Sequence, residues 1–438
     1  MIITEMQMSH LRAIETAEIT FRPGFNLIVG VNGVGKSTVL DALRTCLSRV
    51  LPKVADVRTK PASFEPKDIR VGAAFLEATM FLDLDGVECQ YSRLEWREHV
   101  AKDDSANIDA LRRKILDGDR LRDRPRNLLR ALANSQSLSD SDNFAPKVSE
   151  WRHYAKGLSS APLGIYFATT RSVLTAREAA TSKSGGRISA AYADALVPRT
   201  WNIRELADWL RVQMALSSET PLAAQHMKAL QDAASRFLPE CTGLRPGESK
   251  GTLLIEKAGM LLDVRQLSDG ERGILSIVLD IARRLSQANE CMADPLGKGA
   301  AVVLIDELDL HLHPKWQRAI VENLSQAFPR CQFIATTHSP QVIAAVEPEQ
   351  VLLLTGTEII HPNRSLGMDS NWLLRHVMET GERPAIADRA VKTVEALISK
   401  GAFQKARSAM ATQKKKGLDL PEWAVLEARM SRLEGLGR

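Results

Sequence analysis

The chain predicts an α/β fold, a mixed sheet with flanking helices that carries a helical insertion and a helical C-terminal extension, on three observations. The apolar run Phe25-Asn26-Leu27-Ile28-Val29 passes straight into a glycine-rich loop and then into helical spacing from Val39. A second run, Val302 to Ile305, stops at the carboxylates Asp306 and Glu307. A third, Gln332 to Thr336, ends just before His338. Short apolar runs with β-branched members are the mark of buried strands, and their alternation with helical spacing points to an α/β sheet.

Along the chain, alternating stretches from Val71 to Trp96 flank Asp85-Gly86, a hairpin turn signal. Lys102 to Gly157 is polar and helix-prone, Gly164 to Ala168 reads as a strand, and Thr181 to Gly186 as a loop. Helical spacing covers Ile203 to Phe237, and a second hairpin is expected around Leu253 to Leu262. A long helix is expected from after Leu267 to about Ala288, and another from Trp316 to Phe328. From Asp369 the pattern is helical throughout, punctuated by Pro384 and Pro421. The expected division is an N-terminal lobe 1–97, a mainly helical insertion 98–250, a second lobe 251–365 and a helical region 366–438.

A chain of 438 residues, 44% hydrophobic and 25% charged, has the make-up of a globular protein of roughly two to three domain-sized units. Its net charge of +5 is too weak a field for a nucleic-acid binder that works by overall charge. Five scattered cysteines with no C-x-x-C pair fit a reducing compartment. No signal peptide or bilayer-length apolar stretch is visible, so a cytoplasmic location is expected.

The loop after the first strand is Gly30-Val31-Asn32-Gly33-Val34-Gly35-Lys36-Ser37-Thr38, the full P-loop spacing between strand and helix. Glycines let the backbone approach phosphate with no Cβ in the way, and the helix N-terminus then faces negative charge. Lys36 would bridge the β- and γ-phosphates, and the Ser37 hydroxyl would ligate Mg²⁺. Asp306, at the carboxyl edge of a buried strand, can orient Mg²⁺, and Glu307 is placed to polarise the attacking water. Leu267-Ser268-Asp269-Gly270-Glu271 opens a helix with Ser268 as N-cap and Glu271 completing a capping box.

The order P-loop, LSxG-type helix start, acidic strand and strand-terminal histidine resembles the head of ABC-type ATPases, in the soluble branch of SMC-like, RecF-like and OLD-family ATPases. The likeness covers about residues 1–97 and 250–345. It implies ATP and Mg²⁺ as cofactors, with Gly30, Asn32, Gly33, Gly35, Lys36, Ser37 and Thr38 around the nucleotide. It further implies a head-to-tail homodimer in which Ser268 and Gly270 serve the γ-phosphate held by the other subunit, His338 contacts that phosphate, and Arg12 lies near the nucleotide. Asp269 replaces the signature's second glycine, and His313 stands at the usual D-loop aspartate position. The wording Leu310-His311-Leu312-His313-Pro314 resembles OLD-family and defence ATPases rather than transporters. His311 and His313 read as interface or core residues, no Q-loop glutamine can be placed (Gln90 comes too early), and Arg171 is a cationic candidate for that neighbourhood.

The string Leu366 to Leu374 and the helical stretch after it look like PtuA-like ATPases of Septu and retron anti-phage systems, which act with a separate HNH nuclease. The expected function is thus an ATPase component of anti-phage defence that regulates such a nuclease, with a RecF-like DNA-repair ATPase as the alternative. The residues after His338 lack the clustered acids of a Toprim site, so no nuclease centre is expected in this chain. The stretch Arg112 to Arg130, eight basic groups against three acidic, could track a phosphate backbone.

Overall fold

The computed structural model describes residues 1–57, 59–97, 148, 161–175, 187–356, 358–378 and 384–436, which form two compact units, 1–368 and 369–438. The basic stretch Arg112 to Arg130 lies outside the described residues.

Two large sheets organise the first unit. In the first, β1 (Ile2–Leu11), β2 (Ile14–Thr20), β4 (Phe75–Leu84) and β5 (Val87–Trp96) run antiparallel in the order β2-β1-β4-β5. The β4–β5 turn is Asp85-Gly86, both at positive φ (52° and 93°), the twist a two-residue hairpin requires. The second contains β3 (Phe25–Gly30), β6 (Leu163–Phe167), β12 (Ala301–Ile305), β13 (Cys331–Thr336), β14 (Val351–Leu354) and β15 (Ile359–Ile360), in the order β15-β14-β3-β13-β12-β6. Its strands are parallel except for β15, so the sheet is mixed. Every residue of β3, β12, β13 and β14 is buried. Strands covered on both faces read as continuous apolar runs, which is why they stand out in the sequence.

Helix α1 (Lys36–Ala55) packs against both sheets, its Leu40, Leu43 and Leu47 sharing one core with Ile3 and Met6 of the first sheet and Ile28, Val302 and Ile334 of the second. Each such side chain contributes about 1.5–3 kcal/mol on burial. Buried Gln332 stitches the sheets: its side chain accepts from the Ile3 N–H (2.7 Å) and donates to the Ile3 carbonyl (2.8 Å).

Residues 98–250, expected as a mainly helical insertion, also contribute strands: β6 to the central sheet, the short parallel pair β7 (Leu174–Thr175) and β8 (Trp201–Asn202), and β9 (Cys241–Pro246). Among the described residues of this stretch the helices include α2 (Arg187–Tyr192), α3 (Ile203–Ser217) and α4 (Pro221–Phe237), with Pro221 opening the last. Strand β9 pairs with the hairpin β10 (Leu253–Lys257) and β11 (Met260–Asp263), which leads into α5 (Asp269–Ala288).

Helix α5 carries a buried ionic cluster. Asp280 accepts from Arg283 (2.6 Å) and Arg284 (2.9 Å); Arg283 also reaches Glu205 (2.6 Å), and Arg199 spans Glu205 and Asp280. Arg284, fully buried, donates to the carbonyls of Ala191 and Ala193 at the end of α2. Burial raises the Asp280 carboxyl pKa, but Arg284, Arg283 and Arg199 outweigh it and hold the group well below the usual carboxylate range. A depressed carboxyl stabilises the fold above its unfolded value and loses that contribution as pH falls below it. Asp280→Ala leaves the buried Arg284 guanidinium with no carboxylate, while Arg283 and Arg199 keep Glu205, and is expected to cost about 3–5 kcal/mol. The check is the denaturant midpoint: the wild type should weaken progressively as pH falls below ~4, and the variant should be weak already at neutral pH.

In the second unit, α7 (Ser370–His376) precedes α8 (Ala385–Ser399), α9 (Phe403–Lys415) and α10 (Glu422–Leu436), and the last three close on Val394, Ile398, Met410, Trp423, Leu426 and Met430. Among the described residues no helix is long and apolar enough to cross a membrane.

Candidate functional site

Four neighbouring parallel strands, β3, β13, β12 and β6, deliver the site from their carboxyl ends, the edge where open α/β sheets bind ligands. From β3 comes the glycine-rich loop. A Cβ on Gly30 would lie 2.7 Å from the Leu354 carbonyl oxygen and 2.9 Å from Val34 Cγ1, so no other residue fits. Gly35 caps α1 from the left-handed region (φ 113°) and lies against Ile14. Helix α1 has neither a side-chain cap nor an acid in its first turn, leaving its N–H groups available to an anion. Val31, Asn32 and Gly33 are exposed and Thr38 is buried. Lys36 is buried, its Nζ donating to the carbonyls of Gly30 and Val31 (both 2.9 Å).

Strand β12 ends at Asp306, whose two carboxylate oxygens each lie 3.2 Å from the Ser37 hydroxyl. Thr336, at the end of β13, ties the turn together: its Oγ1 donates to Asp306 Oδ1 (2.7 Å) and accepts from the Glu307 N–H (2.7 Å). A hydroxyl and a carboxylate converging beside a Cβ-free cradle and an uncapped helix N-terminus fit a hard divalent cation carried with phosphate. The residues present therefore suit ATP and Mg²⁺.

Glu307 is left-handed (φ 49°), a conformation that costs a side-chain-bearing residue energy and clusters at functional turns. Its carboxylate makes no hydrogen bond among the described residues, unlike its neighbours: Asp306 is engaged as above, and Asp309 accepts from Thr337 Oγ1 (2.6 Å) and the His338 N–H (3.2 Å). His338 is partly buried at the end of β13. Arg171, in the 3-10 turn Thr169–Ser172 after β6, donates to the main-chain carbonyls of Asp306 and Glu307. Burial lowers its pKa to about 10, against the upward pull of Asp306, Asp309 and Glu307, so it stays charged at neutral pH.

Ser268 is exposed and forms the expected capping box with Glu271: its hydroxyl and N–H both donate to Glu271 Oε2 (2.8 and 3.0 Å), and Lys257 holds the other oxygen (2.6 Å). Gly270 turns inward. A Cβ there would fall within 3 Å of the His311 carbonyl oxygen, so the glycine also has a reason inside its own subunit. His313 is the N-cap of α6 (Pro314–Ala327), its Nδ1 accepting from the Lys315 N–H, and among the described residues no group of three or more His, Cys, Asp or Glu is gathered to hold a metal. Arg12, expected near nucleotide, has its guanidinium committed to Asp41 (2.8 Å) and Asp68 (2.9 Å), the former one helical turn beyond Ser37.

Sequence reasoning missed Thr336 and Asp309. Two hydroxyls, Thr336 and Thr337, directly before the strand-terminal histidine were the available signal.

A phosphate-binding loop on one strand with a Ser–Asp junction to the next defines the class: a P-loop ATPase. The chain belongs to the family described as "AAA domain, putative AbiEii toxin, Type IV TA system", whose model matches residues 25–344. It is 27% identical over 417 residues to the Retron Ec83 probable ATPase of Escherichia coli, covering 87% of this chain and 77% of that one. It is 24% identical over 412 residues to the Retron Vc95 probable ATPase of Vibrio cholerae serotype O1 biovar El Tor, covering 86% and 79%. With the Septu protein PtuA of Bacillus mycoides (strain KBAB4) it shares 37% identity over 95 residues, 22% of this chain and 13% of the other. The resemblance read from the motifs agrees with these relatives.

Proposed function

We propose that the chain is the cytoplasmic ATP-hydrolysing component of an anti-phage defence system, pairing head to tail with a second copy around ATP and regulating a separate HNH-type nuclease. The observation that carries the chemistry is the Ser37–Asp306 junction beside a Glu307 carboxylate turned out of the strand and free of hydrogen bonds among the described residues. The defence role is supported by relatives named as retron ATPases along most of their length.

Lys36 exchanges the carbonyls of Gly30 and Val31 for phosphate oxygens, and the backbone of Gly30, Asn32, Gly33 and Gly35, with Thr38, lines the rest of the cradle. When bound, Mg²⁺ with ATP supplies a polarised γ-phosphoryl group. Ser37 and Asp306 would hold the cation, Glu307 would accept the proton of the attacking water, and His338 would serve the same phosphate. Ser268, exposed at the tip of α5, would exchange its hydroxyl's hydrogen bond to Glu271 for one to a second copy's phosphate.

The test is ATP-dependent pairing. With Mg²⁺-ATP the mass in solution should double, and Ser268→Arg should bind ATP within about two-fold of wild type yet stay monomeric, a cap loss of ~1 kcal/mol being too small to unfold the unit. Co-purification of a nuclease with the natively expressed chain supports the defence reading. Salt-sensitive duplex binding by the lone chain, with no nuclease attached, would favour DNA repair instead.

A further inference from the structure

Arg171 is a buried cation to which the reading above gives no role. It is 4% exposed, and among the described residues it forms no ion pair. Its polar contacts are main-chain oxygens: Nη1 to the carbonyls of Asp306 (2.6 Å) and Ala168 (3.3 Å), Nη2 to that of Glu307 (2.5 Å). A buried guanidinium ordinarily meets a carboxylate, because removing its charge from water is costly. Here the fork is applied to two consecutive carbonyls, those on either side of the Glu307 α-carbon.

That α-carbon is the one at φ 49°. The Glu307 amide is held by Thr336 Oγ1, and the next amide, of Leu308, donates to the Thr336 carbonyl (2.8 Å). With both flanking peptide planes clamped by Arg171 on one side and Thr336 on the other, the direction of the Glu307 side chain is set. The geometry points to Arg171 as the positioning residue of this ATPase: it holds the left-handed turn at Glu307 from behind and so fixes where the carboxylate is presented. The inference rests on Glu307 being the residue that handles the attacking water. It also accounts for the residue type, since a guanidinium reaches two carbonyls at once and a lysine ammonium does not present that planar fork.

Arg171→Ala and Arg171→Lys test it, the second keeping the buried charge and with it the fold. Expected is a fall in kcat of about 10- to 100-fold with ATP affinity, read by a fluorescent ATP analogue, within about three-fold of wild type. Without nucleotide, hydrogen–deuterium exchange at the Glu307 and Leu308 amides should quicken while α5 and the central strands stay protected. Arg171→Ala combined with Glu307→Gln should be no slower than Glu307→Gln alone, because one residue acts through the other. Loss of affinity and melting temperature together with kcat, or a multiplicative loss in the double variant, overturns the inference. If Glu307→Gln is inactive yet Arg171→Ala turns over fully, the positioning role alone falls. If Glu307→Gln itself turns over normally, the assignment of Glu307 falls, and quickened exchange then still reports whether Arg171 holds the turn.

Discussion

Glu307→Gln retains ATP and cuts turnover by roughly 10²- to 10⁴-fold, the range lost with a positioned general base. Elimination among three carboxylates singles this one out. Asp306 accepts from Ser37 and Thr336, and Asp309 from Thr337 and the His338 amide, so both already hold other groups in place. The Glu307 carboxylate has no such engagement among the described residues, while its backbone is anchored at the amide and the carbonyl. Glutamine keeps the shape and that anchorage but cannot take a proton, so binding should survive. A complex that closes on ATP and does not hydrolyse it should accumulate as the dimer, visible as a stable doubled mass beside steady-state phosphate release near background. Unchanged turnover would remove Glu307 from the mechanism.

The parts of this site that could be read from the sequence are those written in contiguous strings. Gly30 to Thr38 and Val302 to Glu307 each contain strand, turn and functional group within ten residues, and covered parallel strands make such runs conspicuous. The capping box of Ser268 and Glu271 and the Asp85-Gly86 turn are local in the same sense. What could not be read is what folding brings together. Arg171 meets Asp306 and Glu307 across 135 and 136 positions and through main-chain oxygens, which leave no trace in side-chain identity. Gly270 matches a signature motif, yet its contact with the His311 carbonyl is tertiary. The charges at Asp280, Arg283 and Arg284 interrupt an apolar run; they are buried because Arg199 and Glu205, from a different part of the chain, complete the cluster.

Lys36→Ala should abolish nucleotide binding, with the ATP dissociation constant raised about 100-fold or more, the loss of more than one charge-assisted contact to phosphate. Burial lowers the Lys36 pKa while Asp306, Glu307 and Asp309 pull it up. Burial outweighs the three carboxylates, so the ammonium is poorly solvated in the empty loop and gains from an anionic phosphate placed against it. Removing it leaves the carbonyls of Gly30 and Val31 without their donor, but Val31 is open to solvent and water can replace it there, so the apo fold should melt close to wild type. That separates a binding defect from a folding defect. Wild type at 100 times its dissociation constant gains about 2.7 kcal/mol from ligand and should melt correspondingly higher, whereas the variant should gain almost nothing at the same concentration. A variant still stabilised by ATP to the wild-type extent would place the nucleotide somewhere other than the loop between β3 and α1, and the assignments of Ser37, Asp306 and Glu307 would fall with that loop.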